Sequence, residues 1–159
     1  MPTEQTTRFD VKTILVPTDF SDGAQTALDH ATALAAVFGA KIVLLHVIET
    51  FTYTMTESLQ VVNVYNLIKT AVEPVLDEMV QDLQKEHVSA SRVLVQGTAY
   101  EEIGVQAKKA GADLIVMGTH GRRGVSHAFM GSVAERVVRT APCPVLTVRT
   151  PEQKKGSAA

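Results

Sequence analysis

Apolar residues along this chain form two alternating kinds of segment: short runs typical of strands, and longer stretches with helical spacing. Five short runs are rich in Val, Ile and Leu and end near turn residues, as buried strands do. They cover residues 13–17, 41–48, 92–96, 113–118 and 144–149. Four longer stretches repeat apolar residues every three to four positions, which predicts helices. They start at residue 21 or 22, 64, 97 and 132 and end near 38, 83, 110 and 140. This alternation predicts an α/β fold, a parallel sheet with helices on both faces.

Local signals sharpen several of these boundaries. Ser21 or Asp22 can cap the first helix, and Gly39 stands where a helix-ending glycine is expected. Pro74 falls inside the second helix and predicts a kink or a split there, because proline lacks a backbone N–H. Residues 49–60 are polar and rich in threonine, which predicts a loop or lid.

The size and composition of the chain favour one packed domain. Residues 1–10 and 150–159 are polar and are expected to be flexible tails around a single domain at 11–149. The net charge of −2 argues against nucleic acid as a partner, since nucleic-acid binders usually carry a basic surplus. The single cysteine, Cys143, cannot form an internal disulfide. No apolar run approaches the length of a membrane span and no signal peptide is recognised, so we expect a cytoplasmic protein without membrane insertion.

Residues 117–133 carry the strongest functional signal. The sequence is Met-Gly-Thr-His-Gly-Arg-Arg-Gly-Val-Ser-His-Ala-Phe-Met-Gly-Ser-Val, and it joins a predicted strand to a predicted helix. Glycines let main-chain N–H groups approach an anion, and the first turn of a helix offers unpaired donors at a positive dipole end. The segment lacks the Gly-Lys-Ser/Thr of a P-loop, and no Gly-x-Gly-x-x-Gly follows the first strand. Phosphate, and hence nucleotide, binding is the leading hypothesis.

The predicted topology brings a second segment to the same place. In doubly wound sheets, ligands bind beyond the carboxyl ends of the strands, where the winding direction reverses. The first strand ends at Pro17-Thr18-Asp19 and the fourth ends at Gly118. If these two strands are neighbours at the reversal, Asp19 and the glycine segment face one crevice.

Three separated motifs resemble the universal stress protein family. The first is the spacing Gly118, two residues, Gly121, nine residues, then Gly131-Ser132. The others are Val-Pro-Thr-Asp-Phe-Ser at 16–21 and Leu-Leu-His-Val at 44–47, so that the resemblance covers about residues 11–149. It implies a Rossmann-like, doubly wound sheet of five parallel strands in the order 3-2-1-4-5. It further implies a homodimer and membership of the ATP-binding branch of the family.

The resemblance also assigns roles by position. Pro17, Thr18 and Asp19 would border the adenosine, Val47 would offer main-chain groups to adenine, and Gly118 would lie against the ribose. Met117, next to Gly118, is also counted among the ATP-binding residues. The phosphates would be held mostly by main-chain N–H groups, from Gly121, Gly131, Ser132 and Val133. Two copies would pair antiparallel through the last strand, at an interface formed by Val145, Leu146, Thr147 and Val148. Because this strand comes last in the chain, we expect it at the edge of the sheet.

Several of these residues have a second interpretation. Gly118 and Gly121 either border the ligand, at the ribose and the phosphates respectively, or only turn the chain after a strand. Asp19 either borders the ligand or serves the turn and cap of the first helix, and both roles are compatible. His46 is interpreted as a structural histidine rather than a catalyst.

The side chains of the segment after the fourth strand also have two interpretations each. His120 either contacts phosphate or ribose or is simply solvated. Arg122 and Arg123 either add positive charge beside the phosphates or form an ordinary surface pair, and His127 is a weaker candidate.

Three functions remain open from the sequence. The first is an ATP-binding stress-response protein whose nucleotide biases partner binding or dimer geometry. The second is a slow ATP hydrolase or phosphoryl-transfer enzyme; Asp19 is the one acid placed near the loop, with Mg²⁺ or Mn²⁺ as a metal it could hold, and no residue that orients a nucleophile is recognised. The third is an interaction scaffold with a vestigial nucleotide pocket. An unknown protein partner is expected in the first and third.

Overall fold

A computed structural model describes residues 10–49, 58–120 and 130–150, with the side chains of 58–63 left undescribed. Within these ranges the chain alternates between strands and helices from end to end. The elements are β1 (Thr13–Pro17), α1 (Asp22–Phe38), β2 (Lys41–Glu49), α2 (Ser58–Lys85), β3 (Ala90–Gly97), α3 (Ala99–Ala110), β4 (Leu114–Gly118), α4 (Ser132–Thr140) and β5 (Val145–Val148).

The five strands form one parallel sheet in the order β3-β2-β1-β4-β5, which confirms the predicted fold. At its centre, Leu15 of β1 lies in register with Val43 on one side and Ile115 on the other. From β1 the sheet grows first towards β3 and then, after α3, in the opposite direction towards β5. The winding therefore reverses between β1 and β4, and the carboxyl ends of these two strands are neighbours.

The sheet separates two apolar clusters. Ile14 and Val16 point into the cluster beneath α1 and α2, whereas Leu15 points into the cluster beneath α3 and α4. All three side chains are fully buried. This alternation is what the central strand of a doubly covered parallel sheet requires, since each face must be apolar.

The ends of α1 are set by local signals that the sequence displays. Ser21 is the N-cap, and its Oγ accepts a hydrogen bond from the Ala24 amide at 3.2 Å. Gly39 ends the helix in the left-handed region (φ 66°), where glycine carries no steric cost, and its amide donates to the Ala35 carbonyl. Both predicted boundaries are confirmed.

Helix α2 differs from the prediction in two respects. It begins at Ser58, six residues before the predicted start at 64, and β2 extends to Glu49. The predicted loop at 49–60 is therefore wrong at both ends, and residues 50–57 lie outside the described ranges. Pro74 lies inside one continuous helix, so the alternative of a split helix is also wrong. Pro74 is exposed, and water can satisfy the carbonyl that its missing N–H leaves unpaired.

The other boundaries move by one or two residues. β3 starts at Ala90 instead of 92, β4 at Leu114 instead of 113, and β5 is one residue shorter at each end. No helix in the described part of the chain combines the length and apolar character that crossing a membrane requires.

Asp113, the residue directly before β4, binds the start of the neighbouring strand β1 through its carboxylate. Its Oδ2 accepts hydrogen bonds from the amides of Lys12 and Thr13, both at 2.9 Å, and its own amide donates to the Thr13 carbonyl. These three bonds hold the start of β1 against the start of β4. Asp113 therefore fixes the register of the two strands that form the reversal point.

We expect Asp113→Ala to lower the free energy of unfolding by about 1–3 kcal/mol, because two amides at the start of β1 lose a charged acceptor. Urea unfolding followed by circular dichroism measures this change. Asp82→Ala is the matched control: its carboxylate forms an exposed pair with Lys85, and such pairs contribute about 0–1 kcal/mol. Equal losses in the two variants would contradict the role assigned to Asp113.

Candidate functional site

The carboxyl end of β1 is fixed from two sides. The Thr18 amide donates to the Leu45 carbonyl at 2.8 Å, which carries the β1–β2 pairing one residue beyond the strand. The Thr18 carbonyl lies 2.8 Å from His46 Nδ1, so the ring nitrogen donates to it. This contact gives His46 the structural role that the sequence predicted. Pro17, at the end of β1, is half-buried and Thr18 is buried.

Asp19 organises the turn into α1. Its Oδ1 accepts hydrogen bonds from both the amide and the hydroxyl of Ser21. Ser21, not Asp19, caps the helix, and Asp19 orients that cap. The turn interpretation of Asp19 is thus supported by direct contacts, and its role beside a ligand stays a prediction.

Phe20 is a residue at this site that the sequence analysis missed. Its backbone lies in the left-handed region (φ 64°), which is uncommon for a residue with a side chain. Its amide donates to Thr18 Oγ1 at 3.1 Å, and its ring lies 4.6 Å from that of His46, centroid to centroid. Strained backbone of this kind concentrates at functional sites, yet no local sequence signal announces it.

The end of β4 packs against the start of α1 through backbone alone. A Cβ on Gly118 would lie 2.8 Å from the Gly23 carbonyl oxygen, and a Cβ on Gly23 would lie 2.6 Å from the His120 carbonyl oxygen. Both distances are shorter than real Cβ contacts allow. Gly118 therefore has a structural reason to be glycine, whatever it does for a ligand. Gly23 was not singled out from the sequence; a glycine in the first turn of a helix was the available signal.

Gly131 makes a similar contact at the start of α4. Its amide donates to the Thr119 carbonyl at 2.8 Å, and a Cβ there would lie 2.9 Å from the same oxygen. This amide is already engaged within the protein. The prediction that Gly131 donates to phosphate therefore requires this amide to leave the Thr119 carbonyl.

The next amides of α4 are open. A helix leaves its first four N–H groups without an intrahelical acceptor, and the first bond of α4 runs from Glu135 to the Gly131 carbonyl. Gly131 provides no side-chain cap. The amides of Ser132, Val133 and Ala134 accordingly find no acceptor among the described residues. Three main-chain donors stand together at the positive end of the helix dipole.

His120 follows β4 and is held by its neighbour. Thr119 is buried, its amide donates to the Val148 carbonyl at 2.9 Å, and its Oγ1 lies 3.0 Å from His120 Nδ1. The other ring nitrogen, Nε2, is inaccessible to solvent and has no hydrogen-bond partner in the described part of the chain. His120 is therefore not simply a solvated side chain.

The remaining predicted residues divide into two groups. Met117 is buried and Val47 half-buried, and both side chains join the apolar cluster beneath α3 and α4, so that main-chain groups are what they can offer a ligand. Gly121, Arg122 and Arg123, with His127, lie outside the described residues. Among the described residues, including those around Asp19, no group of three or more His, Cys, Asp or Glu side chains is placed to hold a metal ion.

β5 forms the edge of the sheet, as predicted. Val148 is buried and Val145 half-buried, whereas Leu146 is 38% exposed. An edge strand with an exposed apolar side chain invites pairing with another chain. Whether two copies pair there stays a prediction.

A groove of about 670 Å³ lies elsewhere, between α2 and β3. Arg92 forms ion pairs with Asp77 and Glu73 within it. The hydrogen bond from Arg92 holds the pKa of the Asp77 carboxyl below its usual value and raises the pKa of the guanidinium. The groove is a solvated ion-pair network on the surface, remote from the carboxyl ends of β1 and β4.

The reversal of the sheet defines a doubly wound α/β protein, and the open first turn of α4 makes its switch point the candidate site. The model of the universal stress protein family matches residues 10–149, and the chain belongs to this family. The universal stress protein MJ0531 of Methanocaldococcus jannaschii is 33% identical over 146 residues, which cover 90% of this chain and 85% of that protein.

Solved structures agree with this assignment. The structure of MJ0577, a universal stress protein of the same organism, has a TM-score of 0.72 and 31% identity, over 91% of this chain and 99% of that one. A universal stress protein solved in complex with cAMP has a TM-score of 0.59 and 25% identity, over 89% of this chain and 99% of that one.

We expect Gly118→Ala to destabilise the protein by about 1–3 kcal/mol, because the new methyl group meets backbone that cannot rotate away. Gly104→Ala is the matched control. Its Cβ would meet nothing within 4 Å, and alanine in a helix is favoured over glycine by about 0.5–1 kcal/mol. Urea unfolding of both variants measures the difference; a Gly118→Ala protein as stable as the Gly104→Ala protein would contradict the close approach.

Proposed function

We propose that this protein is an ATP-binding universal stress protein that acts in the cytoplasm as a nucleotide-dependent regulatory homodimer. The observation that carries the proposal is the open first turn of α4. Its three available amides lie beyond the carboxyl end of β4, where doubly wound folds bind ligands. The relative in complex with cAMP supports an adenine nucleotide as the ligand class.

The phosphates occupy the start of α4 in this proposal. The amides of Ser132 and Val133 donate to phosphate oxygens, and the positive end of the helix dipole adds to the attraction. Gly121, Arg122 and Arg123 contribute from the preceding segment. Any Mg²⁺ or Mn²⁺ takes most of its ligands from phosphates and water, since the described side chains around Asp19 do not form a metal site.

The adenosine lies towards the ends of β1 and β2. Asp19 and Thr18 border it, Val47 offers main-chain groups to the base, and Gly118 lies against the ribose. The backbone of Thr18 supports this arrangement. Its hydrogen bonds to Leu45 and His46 already fix it in place, so ligand binding does not have to offset the entropy cost of ordering this segment.

The expected affinity is consistent with these contacts. Each amide that donates to a charged oxygen contributes about 1.5–3 kcal/mol, and the helix end contributes about 0.3–1 kcal/mol. The three amides of this proposal, from Gly121, Ser132 and Val133, together with the helix end therefore supply roughly 5–10 kcal/mol. Micromolar binding needs about 8 kcal/mol, before ordering costs are subtracted.

Ser132→Pro tests the proposal with little risk to the fold. Proline at the first position of a helix removes one N–H without breaking an intrahelical bond, and Gly131 before it is already extended (ψ 150°), as a residue before proline should be. We expect calorimetry to show ATP binding that weakens roughly tenfold or more in this variant, because one charge-assisted bond is lost.

Ser132→Ala keeps the amide and serves as the control, with affinity expected close to that of the unmodified protein. The proposal is overturned if the unmodified protein binds no adenine nucleotide at millimolar concentration. It is also overturned if Ser132→Pro folds normally and binds ATP as tightly as Ser132→Ala.

The homodimer is proposed to form through β5. Leu146→Lys places a charge on the exposed edge, where unpaired strands are otherwise prone to associate. We expect sedimentation velocity to show a dimer for the unmodified protein and a shift towards monomer for this variant. Val37→Lys is the control, since Val37 is an apolar residue 79% exposed at the end of α1, away from β5. A monomeric unmodified protein at micromolar concentration would rule out the dimer.

A further inference from the structure

We infer that Thr119 is a positioning residue, which keeps the ring hydrogen of His120 on Nε2 and thereby makes His120 a donor to an oxygen of the bound ligand. The identity of the ligand rests on the proposed function. The location of the hydrogen does not, because it follows from contacts between Thr119 and His120 alone.

Thr119 is held rigidly by its own backbone. Its amide donates to the Val148 carbonyl at 2.9 Å, and its carbonyl accepts from the Gly131 amide at 2.8 Å. The residue is only 7% exposed. With both main-chain groups engaged and the side chain enclosed, the hydroxyl has a defined position beside the imidazole.

The number of hydrogens decides which group donates. The hydroxyl of Thr119 carries one hydrogen, and among the described residues its Oγ1 has a single hydrogen-bond partner, His120 Nδ1 at 3.0 Å. If Nδ1 carried the ring hydrogen, both groups would hold hydrogens and the buried hydroxyl hydrogen would have no acceptor. A hydroxyl that donates to a bare Nδ1 satisfies both groups. In the neutral ring the hydrogen is then on Nε2.

Nε2 is left as a buried donor without an acceptor. It is inaccessible to solvent, and no acceptor lies within hydrogen-bond distance in the described part of the chain. A buried donor without a hydrogen-bond acceptor costs free energy, and native proteins rarely contain one without a functional or structural reason. The main chain of His120 lies beside Gly131 at the start of α4. A ligand oxygen that enters this position and comes within hydrogen-bond distance of Nε2 is the acceptor that the inference assigns to it.

The opposite arrangement would not serve an anion. With the hydrogen on Nδ1, Nε2 would present a lone pair, which repels phosphate oxygen. Thr119 thus selects the form of His120 that favours an oxygen acceptor. It does so without touching the ligand.

The location of the hydrogen can be measured without any ligand. In ¹⁵N-labelled protein near pH ~8.5, where imidazole is ordinarily neutral, the protonated and bare ring nitrogens have well-separated chemical shifts. The chain has five histidines, so the His120→Gln variant identifies the signal of His120 by its loss. We expect a protonated Nε2 and a bare Nδ1. A ring protonated on Nδ1 would overturn the inference.

Thr119→Val removes the hydroxyl at nearly constant volume, and Thr119→Ser retains it. We expect Thr119→Val to show a mixture of the two neutral forms and about three- to tenfold weaker ATP binding, as one hydrogen bond is lost. We expect Thr119→Ser to keep both the spectrum and the affinity. Thr13→Val is the matched control for valine at a buried threonine, since Thr13 is 5% exposed on β1 and lies away from His120.

The outcomes separate this inference from the proposed function. If the protein binds no nucleotide, but the unmodified ring carries its hydrogen on Nε2 and Thr119→Val shows a mixture of the two neutral forms, the proposed function fails and the positioning by Thr119 stands. If ATP binds and Thr119→Val changes neither the spectrum nor the affinity, the inference fails alone. Should Thr119→Val not fold, the spectra of the unmodified protein and of Thr119→Ser still decide the location of the hydrogen.

Discussion

Backbone packs directly on backbone where β4 ends, and the geometry of the crevice depends on that contact. A Cβ on Gly23 would meet the His120 carbonyl, one on Gly118 would meet the Gly23 carbonyl, and one on Gly131 would meet the Thr119 carbonyl, all at less than 3.0 Å. Since main-chain oxygens cannot rotate aside, only glycine satisfies these positions. The start of α1, the end of β4 and the start of α4 are thereby held within van der Waals distance. The candidate ligand residues lie in these segments and in the turn that leads from β1 into α1.

This packing changes how the glycine motif is understood. From the sequence, Gly118 was assigned to the ribose and Gly131 to the phosphates. In the structure, main-chain carbonyl groups of the protein occupy the space where a side chain would stand at both glycines, and the Gly131 amide already donates to the Thr119 carbonyl. The open amides come next, from Ser132 to Ala134. The glycines build the site, and the residues that follow them offer the donors.

The sequence was most informative where a structure is decided locally. The cap at Ser21, the left-handed Gly39 and the apolar run of β1 each depend on a few neighbouring residues, and the predicted boundaries there were confirmed. α2 was predicted less well. Its first turn adjoins a threonine-rich segment with no recognisable cap, and an exposed Pro74 interrupts only one hydrogen bond of a long helix.

The sequence predicted that the ends of β1 and β4 meet, but it did not predict the contacts between them, because these contacts join residues that are far apart in the chain. Gly23 in α1 and Gly118 at the end of β4 are far apart in the chain, so no window of sequence contains their contact. Phe20, with its positive φ, donates one hydrogen bond to Thr18 and packs against His46, which lies 26 residues further along the chain. The sequence identified which segments meet at the reversal. Which of their atoms are already satisfied, and which remain available, required coordinates.

The main chain of Thr119 joins the free edge of the sheet to the first turn of α4, through Val148 on one side and Gly131 on the other. Two peptide hydrogen bonds thus separate a surface suited to self-association from a helix end suited to anions. Thermodynamic linkage makes any communication along this path reciprocal. If nucleotide and a second copy both bind as proposed, the factor by which nucleotide changes the affinity of assembly is also the factor by which assembly changes the affinity for nucleotide.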